Sequence, residues 1–163
     1  MEERPSGRDE SESERLDRNL SELLQELRVA LPGVQVLFAF LLAVPFQQNF
    51  TKIDGFEKGV YFFTLLCTAL SAILLIAPSP YHRFTFHFQQ KRELIRLANR
   101  STIAGLTFLA LAMTGAIVLI TDVLFTSTVI TAIAGAGAFT AFAVLWYVLP
   151  LRRRLSLIGN ARS

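Results

Sequence analysis

The chain has 163 residues, 52% of them apolar, and its 16 basic and 13 acidic residues give a net charge of +3. This length indicates one domain, and the single cysteine, Cys67, excludes an internal disulfide and a metal site built from cysteine pairs. Four stretches of roughly 18 to 23 residues are almost free of charge, and a helix that spans a bilayer needs about 20 apolar residues. We therefore predict an all-α integral membrane protein with four transmembrane helices arranged as two hairpins.

The first segment, residues 1–14, contains six acids and no aliphatic residue beyond Met1. Such a segment cannot bury enough apolar surface to order itself, so we predict a disordered acidic tail. It is either a solvating extension or a tail for interaction or phosphorylation. Because no apolar stretch follows a basic start, no cleavable signal peptide is expected.

An amphipathic helix is predicted over residues 15–31. Its leucines cover about one third of the helix circumference: Leu16, Leu20, Leu23, Leu24, Leu27 and Leu31. The polar face is acidic, which is atypical for a helix that binds anionic lipid. We expect this helix to pack on loops of its own chain or on a second copy. Pro32 should kink or end it, because proline lacks the N–H and its ring clashes with the preceding turn.

The membrane domain is predicted to cover residues 15–154. Its segments after the amphipathic helix are a first span at about 30–50, a polar loop at 47–58, a second span at 59–77, a basic loop with a surface helix at 79–102, a third span at 103–121 and a fourth at 127–149. Residues 155–163 form the predicted C-terminal tail. Three aromatic residues, Tyr61, Phe62 and Phe63, begin the second span and are typical of a membrane interface.

Topology follows from the distribution of lysine and arginine. The loop 79–102 carries five and the segment after the fourth span carries four, whereas the other two connections carry two and none. Since basic loops stay on the cytoplasmic side, both termini should be cytoplasmic and the location should be the cell membrane. The basic residues flank the apolar segments, so they indicate a lipid bilayer as partner and no nucleic acid.

Six polar positions in or beside the spans are candidates for function, because a polar group inside a bilayer is costly: Arg28, Gln35, Thr64, Thr68, Ser71 and Asp122. Thr64, Thr68 and Ser71 are spaced to share one helix face. Together with Gln35 they form either a hydrophilic path at a helix junction or oligomer axis, or ordinary hydrogen bonds between helices.

The two charged candidates lie at opposite ends of the predicted spans. Asp122 is the sole acid of the second hairpin and lies at the outer end of the third span. It is either an interfacial residue or helix cap, or a proton carrier. Arg28 lies at the membrane edge, one turn before Pro32. It anchors the helix in the interface, or it contacts lipid phosphate or an acid on another helix or another copy.

No catalytic, cofactor or metal site is predicted. Gly135, Ala136 and Gly137 lack the third glycine and the preceding strand of a phosphate loop, and the small residues around them instead favour close helix packing. His82 and His87 are five residues apart, about 140° around a helix, which is not the spacing of a zinc pair. We expect the protein not to be an enzyme and to bind no cofactor.

One long run and one short motif carry a family resemblance. The run ELLQELRVALPGVQVLFAFLLAVPF (22–46), together with APSPYHR (77–83), resembles a family of small four-span membrane proteins that are common in actinobacteria and classed as of unknown function. Some relatives carry the label of sodium:proton antiporter. The resemblance implies no characterised residues. An antiporter needs a titratable carboxylate within the membrane, and none lies centrally here.

Two functional hypotheses follow from the sequence. The first is a structural or regulatory membrane protein that acts through its surface helices and packed hairpins, because buried ionisable groups are scarce. The alternative is a component of cation or proton transport, which the threonine and serine positions and Gln35 suggest. Four helices of this size should leave no roomy cavity, so a transport pathway would form in a homo-oligomer.

Overall fold

The computed structural model describes residues 12–48, 50–80 and 91–160, and these residues form helices and short turns without a strand. The helices are α1 (Glu12–Ala43), α2 (Gly55–Ile76), α3 (Lys91–Phe125), α4 (Thr128–Ala143) and α5 (Leu149–Asn160); a π-helical segment (Val144–Val148) joins α4 to α5, and two 3₁₀ turns (Val44–Phe46 and Phe50–Lys52) lie between α1 and α2. Four helical stretches are long and apolar enough to cross a membrane: Ser21–Phe46, Gly55–Pro80, Ile95–Phe125 and Thr128–Ser156. The prediction of an all-helical chain with four such helices is confirmed.

Parts of several predicted segments lie outside the described residues, including residue 49, which the predicted first span and polar loop share. Of the predicted acidic tail, only residues 12–14 are described, and they form the first turn of α1. Residues 81–90 of the predicted basic loop lie outside, as do residues 161–163 of the predicted C-terminal tail.

Helix α1 does not end at the Pro-Gly sequence. It is 32 residues long and includes Pro32 in its interior. The predicted surface helix and first span are therefore one element. A proline inside a helix costs about 3 kcal/mol. Leu27 and Val34, on either side of Pro32, are buried in one cluster with Leu75 of α2 and Leu109 of α3. Because both halves are held against the same neighbours, the helix continues past Pro32 despite the missing hydrogen bond.

The leucines of the stripe whose side chains are described pack on the chain's own helices. Leu23, Leu24 and Leu31 surround the cluster of Leu27 and its neighbours. The amphipathic segment therefore extends the bundle. Helix α3 behaves alike: it begins at Lys91, and no boundary separates the predicted surface helix from the third span.

The four apolar helices alternate in direction, and one hydrogen bond in each of two helix pairs shows which residues lie at the same height. Tyr61 of α2 lies beside Leu41 of α1, and Ser71 lies beside Gly105 of α3. Helix α3 contacts α1, α2 and α4 and is the centre of the bundle. We call the end with residues 44–54 and 126–127 the turn end, and the end where α1 begins and α5 ends the terminal end.

The turn end is shaped by two local devices. Asp54 caps α2 in a reciprocal capping box with Glu57, in which each side chain accepts a backbone N–H of the other residue at 2.8 Å. Between α3 and α4, Thr126 adopts a φ of 46°, which a β-branched residue rarely does. This conformation reverses the chain within two residues, so α4 starts directly beside the end of α3.

Proline also explains the irregularity between α4 and α5. Pro150 has no N–H for the carbonyl of Trp146, and its ring would crowd that carbonyl in a regular α-helix. The chain widens into the π-helical segment before Pro150 and then resumes as α5. The fourth apolar helix therefore runs past the predicted end near residue 149.

Candidate functional site

Three of the six predicted polar positions lie together on the face of α2 that packs inside the bundle. Thr64, Thr68 and Ser71 each have 0% of their surface exposed. The Thr64 hydroxyl donates to the Val60 carbonyl at 2.7 Å, and the Thr68 hydroxyl donates to the Thr64 carbonyl at 2.8 Å. These two bonds stay within α2. A threonine that bonds its own helix in this way can be buried without an unpaired donor.

Ser71 makes the contact between helices that the sequence left open. Its hydroxyl donates to the Gly105 carbonyl of α3 at 2.8 Å. All three protons of this polar face are thus used within the protein. Paired donors favour ordinary hydrogen bonding and packing over a hydrophilic path at this face.

Glycines on α3 and α4 allow the helices to approach closely. A Cβ atom added to Gly115 would overlap the Thr64 hydroxyl, and one added to Gly105 would lie 2.8 Å from the Leu75 side chain. On α4, a Cβ atom at Gly135 would lie 2.6 Å from the Val118 side chain. Hydrogen in place of a methyl group at these positions brings the backbones together, as is common between membrane helices.

Tyr61 was predicted to lie with Phe62 and Phe63 in a membrane-interface band, but it is instead a packing residue. It is 8% exposed, its hydroxyl donates to the Leu41 carbonyl at 3.0 Å, and its ring meets Phe50 edge to face at 5.1 Å. Proline at position 45 removes the N–H that would reach the Leu41 carbonyl in a helix. The signal was therefore present in the sequence as Pro45. Phe62 and Phe63 are exposed, as a membrane-facing band would be.

Asp122 lies half-buried near the end of α3, where its carboxylate accepts a hydrogen bond from the Thr131 hydroxyl of α4 at 3.0 Å. The carboxylate bonds a side chain one turn inside α4 and does not cap that helix, and the interfacial and proton-carrier alternatives stay predictions. The N-cap of α4 is Ser127, whose side chain makes no capping bond. Asp122 thus ties α3 to α4 beside the turn end.

Asp122 opens onto a pocket of about 540 Å³ at the turn end. The pocket combines carboxylates, threonine hydroxyls and apolar wall: Asp54, Phe56, Thr114, Val118, Asp122, Thr128, Thr131, Ala132, Gly135 and Ala136. The pocket is an open groove beside the turn end, so the expectation that the four helices enclose no roomy cavity stays a prediction. Gly135 packs tightly, but the methyl groups of Ala132 and Ala136 are too short to fill the space beside it. The volume falls within the range of small-molecule pockets.

Arg28 and Gln35 belong neither to the polar face of α2 nor to the turn-end pocket. Both are exposed on α1, on the flank that faces away from α2 and α3. No cluster of three or more histidine, cysteine, aspartate or glutamate side chains that could hold a metal ion occurs in the part of the chain that is described.

Comparison with known proteins places the chain in a family. Residues 9–150 match a family of unknown function, DUF6328. The chain belongs to the DUF6328 family. No curated protein and no solved structure matches the chain. The resemblance to an uncharacterised family is confirmed, and membership brings no activity with it.

The chemistry open to this DUF6328 chain is therefore indicated by its own geometry. The α2 face of Thr64, Thr68 and Ser71 holds helices together. The pocket at the turn end presents two carboxylates, Asp54 and Asp122, to the outside of the bundle. Charged groups there line a space large enough for a ligand.

Proposed function

We propose that this DUF6328 protein is a multi-pass protein of the cell membrane with both termini in the cytoplasm, and that its role is structural or regulatory. The observation that carries the proposal is the closed α2–α3 contact. The hydroxyls of Thr64, Thr68 and Ser71 are paired, and Gly115 brings the α3 backbone against Thr64. A bundle packed in this way is suited to holding a fixed shape.

The proposal that the protein is not an enzyme rests on the sequence. It offers no serine, histidine and aspartate set, and no cysteine and histidine set, that would form a nucleophile and its base. We propose the lipid bilayer as its surroundings and no nucleic acid as partner.

Membrane insertion and orientation are tested on the full chain. In bacterial membranes the protein should resist extraction with alkaline carbonate, because four apolar helices leave lipid only with detergent. A reporter fused after Ser163 should be active in the cytoplasm, and one inserted after Thr51 should be active outside. A carbonate-soluble protein, or the reverse pattern of reporters, contradicts the proposal.

Transport of a cation or proton by a homo-oligomer is the second candidate. It is supported by the turn-end pocket, in which Asp54 and Asp122 attract cations. The sodium:proton antiporter label of the actinobacterial proteins that the chain resembles belongs to this candidate. Asp122 lies about one turn from the end of α3, whereas an antiporter carboxylate works deep in the membrane. Because Asp122 lies so near the end of its helix, we place transport second to the structural or regulatory role.

Flux through liposomes separates the two candidates. Purified protein is reconstituted, and Na⁺ and H⁺ fluxes are compared with those of empty vesicles. A structural or regulatory protein should give equal fluxes. Flux above the empty-vesicle level that disappears in Asp122→Asn, and persists in Thr128→Val, would overturn the structural proposal. The second variant alters the pocket wall without removing a charge.

A further inference from the structure

Gln35 lies at mid-height of the bundle. The Tyr61 hydroxyl bonds the Leu41 carbonyl, so these residues share a height in the antiparallel pair α1 and α2. Gln35 is six residues before Leu41, and Cys67 is six residues after Tyr61, so both lie about 9 Å further toward the terminal end. Cys67 is near the middle of α2 (Gly55–Ile76). An exposed amide thus occupies the centre of the first apolar helix.

An amide at this depth is strongly disfavoured against hydrocarbon unless it finds a hydrogen-bond partner. Its side chain is too short to reach the headgroup region. Arg28 differs, because it lies seven residues nearer the terminal end and has a longer side chain that can extend to lipid phosphate. Gln35 therefore needs a partner at its own height.

The flank around Gln35 has the pattern of a helix interface. Its positions are spaced alternately by three and four residues, and every one is exposed: Gln25, Arg28, Pro32, Gln35, Ala39 and Leu42. We call these six residues the outer α1 seam. The opposite edge of α1, with Leu27, Val34 and Leu41, is buried in the bundle. Spacing by three and four residues is that of helices that pack along their length at a small angle.

We propose that the outer α1 seam is the contact between two copies of this chain, and that the two Gln35 amides bond each other across a two-fold axis. A glutamine amide carries both a donor and an acceptor, so it is complementary to its own copy. A two-fold axis along the membrane normal places each residue of the seam opposite itself at equal height. Ala39, one turn away, is small enough for the helices to approach.

A second copy fits better than an unrelated helix, because the Gln35 amide of the second copy supplies the hydrogen-bond partner and no other polar side chain is needed. At mid-height, Thr64 and Thr68 are buried inside their own bundle, and the exposed Thr107 hydroxyl already lies within hydrogen-bond distance of the Ile103 carbonyl and the Tyr147 hydroxyl. A single amide in an apolar seam also fixes register, as a lone asparagine does in a coiled coil. The inference rests on the proposed membrane placement, and it is independent of whether the pair transports anything.

Cysteine cross-linking in native membranes tests the contact. In a Cys67→Ala background, Gln35→Cys should form disulfide-linked dimers on mild oxidation, because the two positions face each other. Gly33→Cys is the matched control. It differs in height by about 3 Å, lies 160° around the helix and has nothing within 4 Å of its added Cβ atom. Equal cross-linking at both positions, or cross-linking of Gln35→Cys only to another protein, overturns the proposal.

A second measurement does not depend on introduced cysteines. Fluorescence energy transfer between labelled copies is followed while lipid dilutes the protein. Gln35→Leu should raise the dissociation constant of the pair about 3- to 30-fold, the range of hydrogen bonds between membrane helices. An unchanged constant, or a monomeric wild type, overturns the proposal and leaves the proposed function standing. Release of the wild type by carbonate instead removes the membrane placement and both proposals together.

Discussion

Gly115→Ala tests the packing on which the closed α2–α3 contact depends. The added methyl group would overlap the Thr64 hydroxyl and lie 3.3 Å from the Thr64 Cβ atom. Thr64 is fully buried and bonded to the Val60 carbonyl, so its hydroxyl cannot rotate away without losing that bond. Overpacking of this kind costs about 1–3 kcal/mol, and alanine regains about 1 kcal/mol of helix propensity. We expect a net destabilisation of about 1 kcal/mol.

The assay is equilibrium unfolding of the purified protein in mixed micelles with increasing SDS. Gly137→Ala is the matched control, because its added methyl group would meet nothing within 4 Å. It should be neutral or gain up to about 1 kcal/mol, since glycine lowers helix stability. Removing the opposing hydroxyl in Gly115→Ala/Thr64→Ala should recover about 1–2 kcal/mol relative to the sum of the single changes.

The result that would refute this reasoning is equal stability of Gly115→Ala and Gly137→Ala. The α3 backbone would then not lie against Thr64. A double variant whose loss equals the sum of the two single losses would likewise show that the methyl group and the hydroxyl do not compete for the same space.

Two further changes probe single contacts. Tyr61→Phe leaves the Leu41 carbonyl without its donor and should lower the free energy of unfolding by about 1–3 kcal/mol in the same assay. Pro45→Ala restores a backbone N–H and should reduce that loss. An equal loss with and without Pro45→Ala would contradict the role given to Pro45. Thr126→Asn replaces a β-branched residue at a φ of 46° by one that tolerates left-handed backbone, so it should stabilise the protein by about 1 kcal/mol. A loss of stability would show that the Thr126 side chain itself holds the turn.

The outer α1 seam and the turn-end pocket face different surroundings. The seam lies along α1, whereas the pocket is lined by the first residues of α2 and by the facing sides of α3 and α4. A pair of chains joined at Gln35 would therefore leave both pockets open. For this reason, the cross-linking and the flux experiments report on separate properties of the protein.

The sequence determined the four apolar helices, because a stretch of about 20 apolar residues satisfies its own backbone hydrogen bonds locally and needs no distant partner to be recognised. It also determined that Thr64, Thr68 and Ser71 share a face, since helix periodicity fixes that relation. It failed at Pro32. The local penalty of a proline is visible in the sequence, whereas the packing of Leu27 and Val34 that outweighs it is not.

The tertiary structure alone decided which faces meet. That Gly115 lies against Thr64, that Ser71 bonds Gly105, and that Asp122 bonds Thr131 beside a pocket depends on the register between helices. Register is set by the fit of many side chains from distant parts of the chain, and no local pattern encodes it. The depth of Gln35 follows in the same way, because its height is known only once Tyr61 is seen beside Leu41.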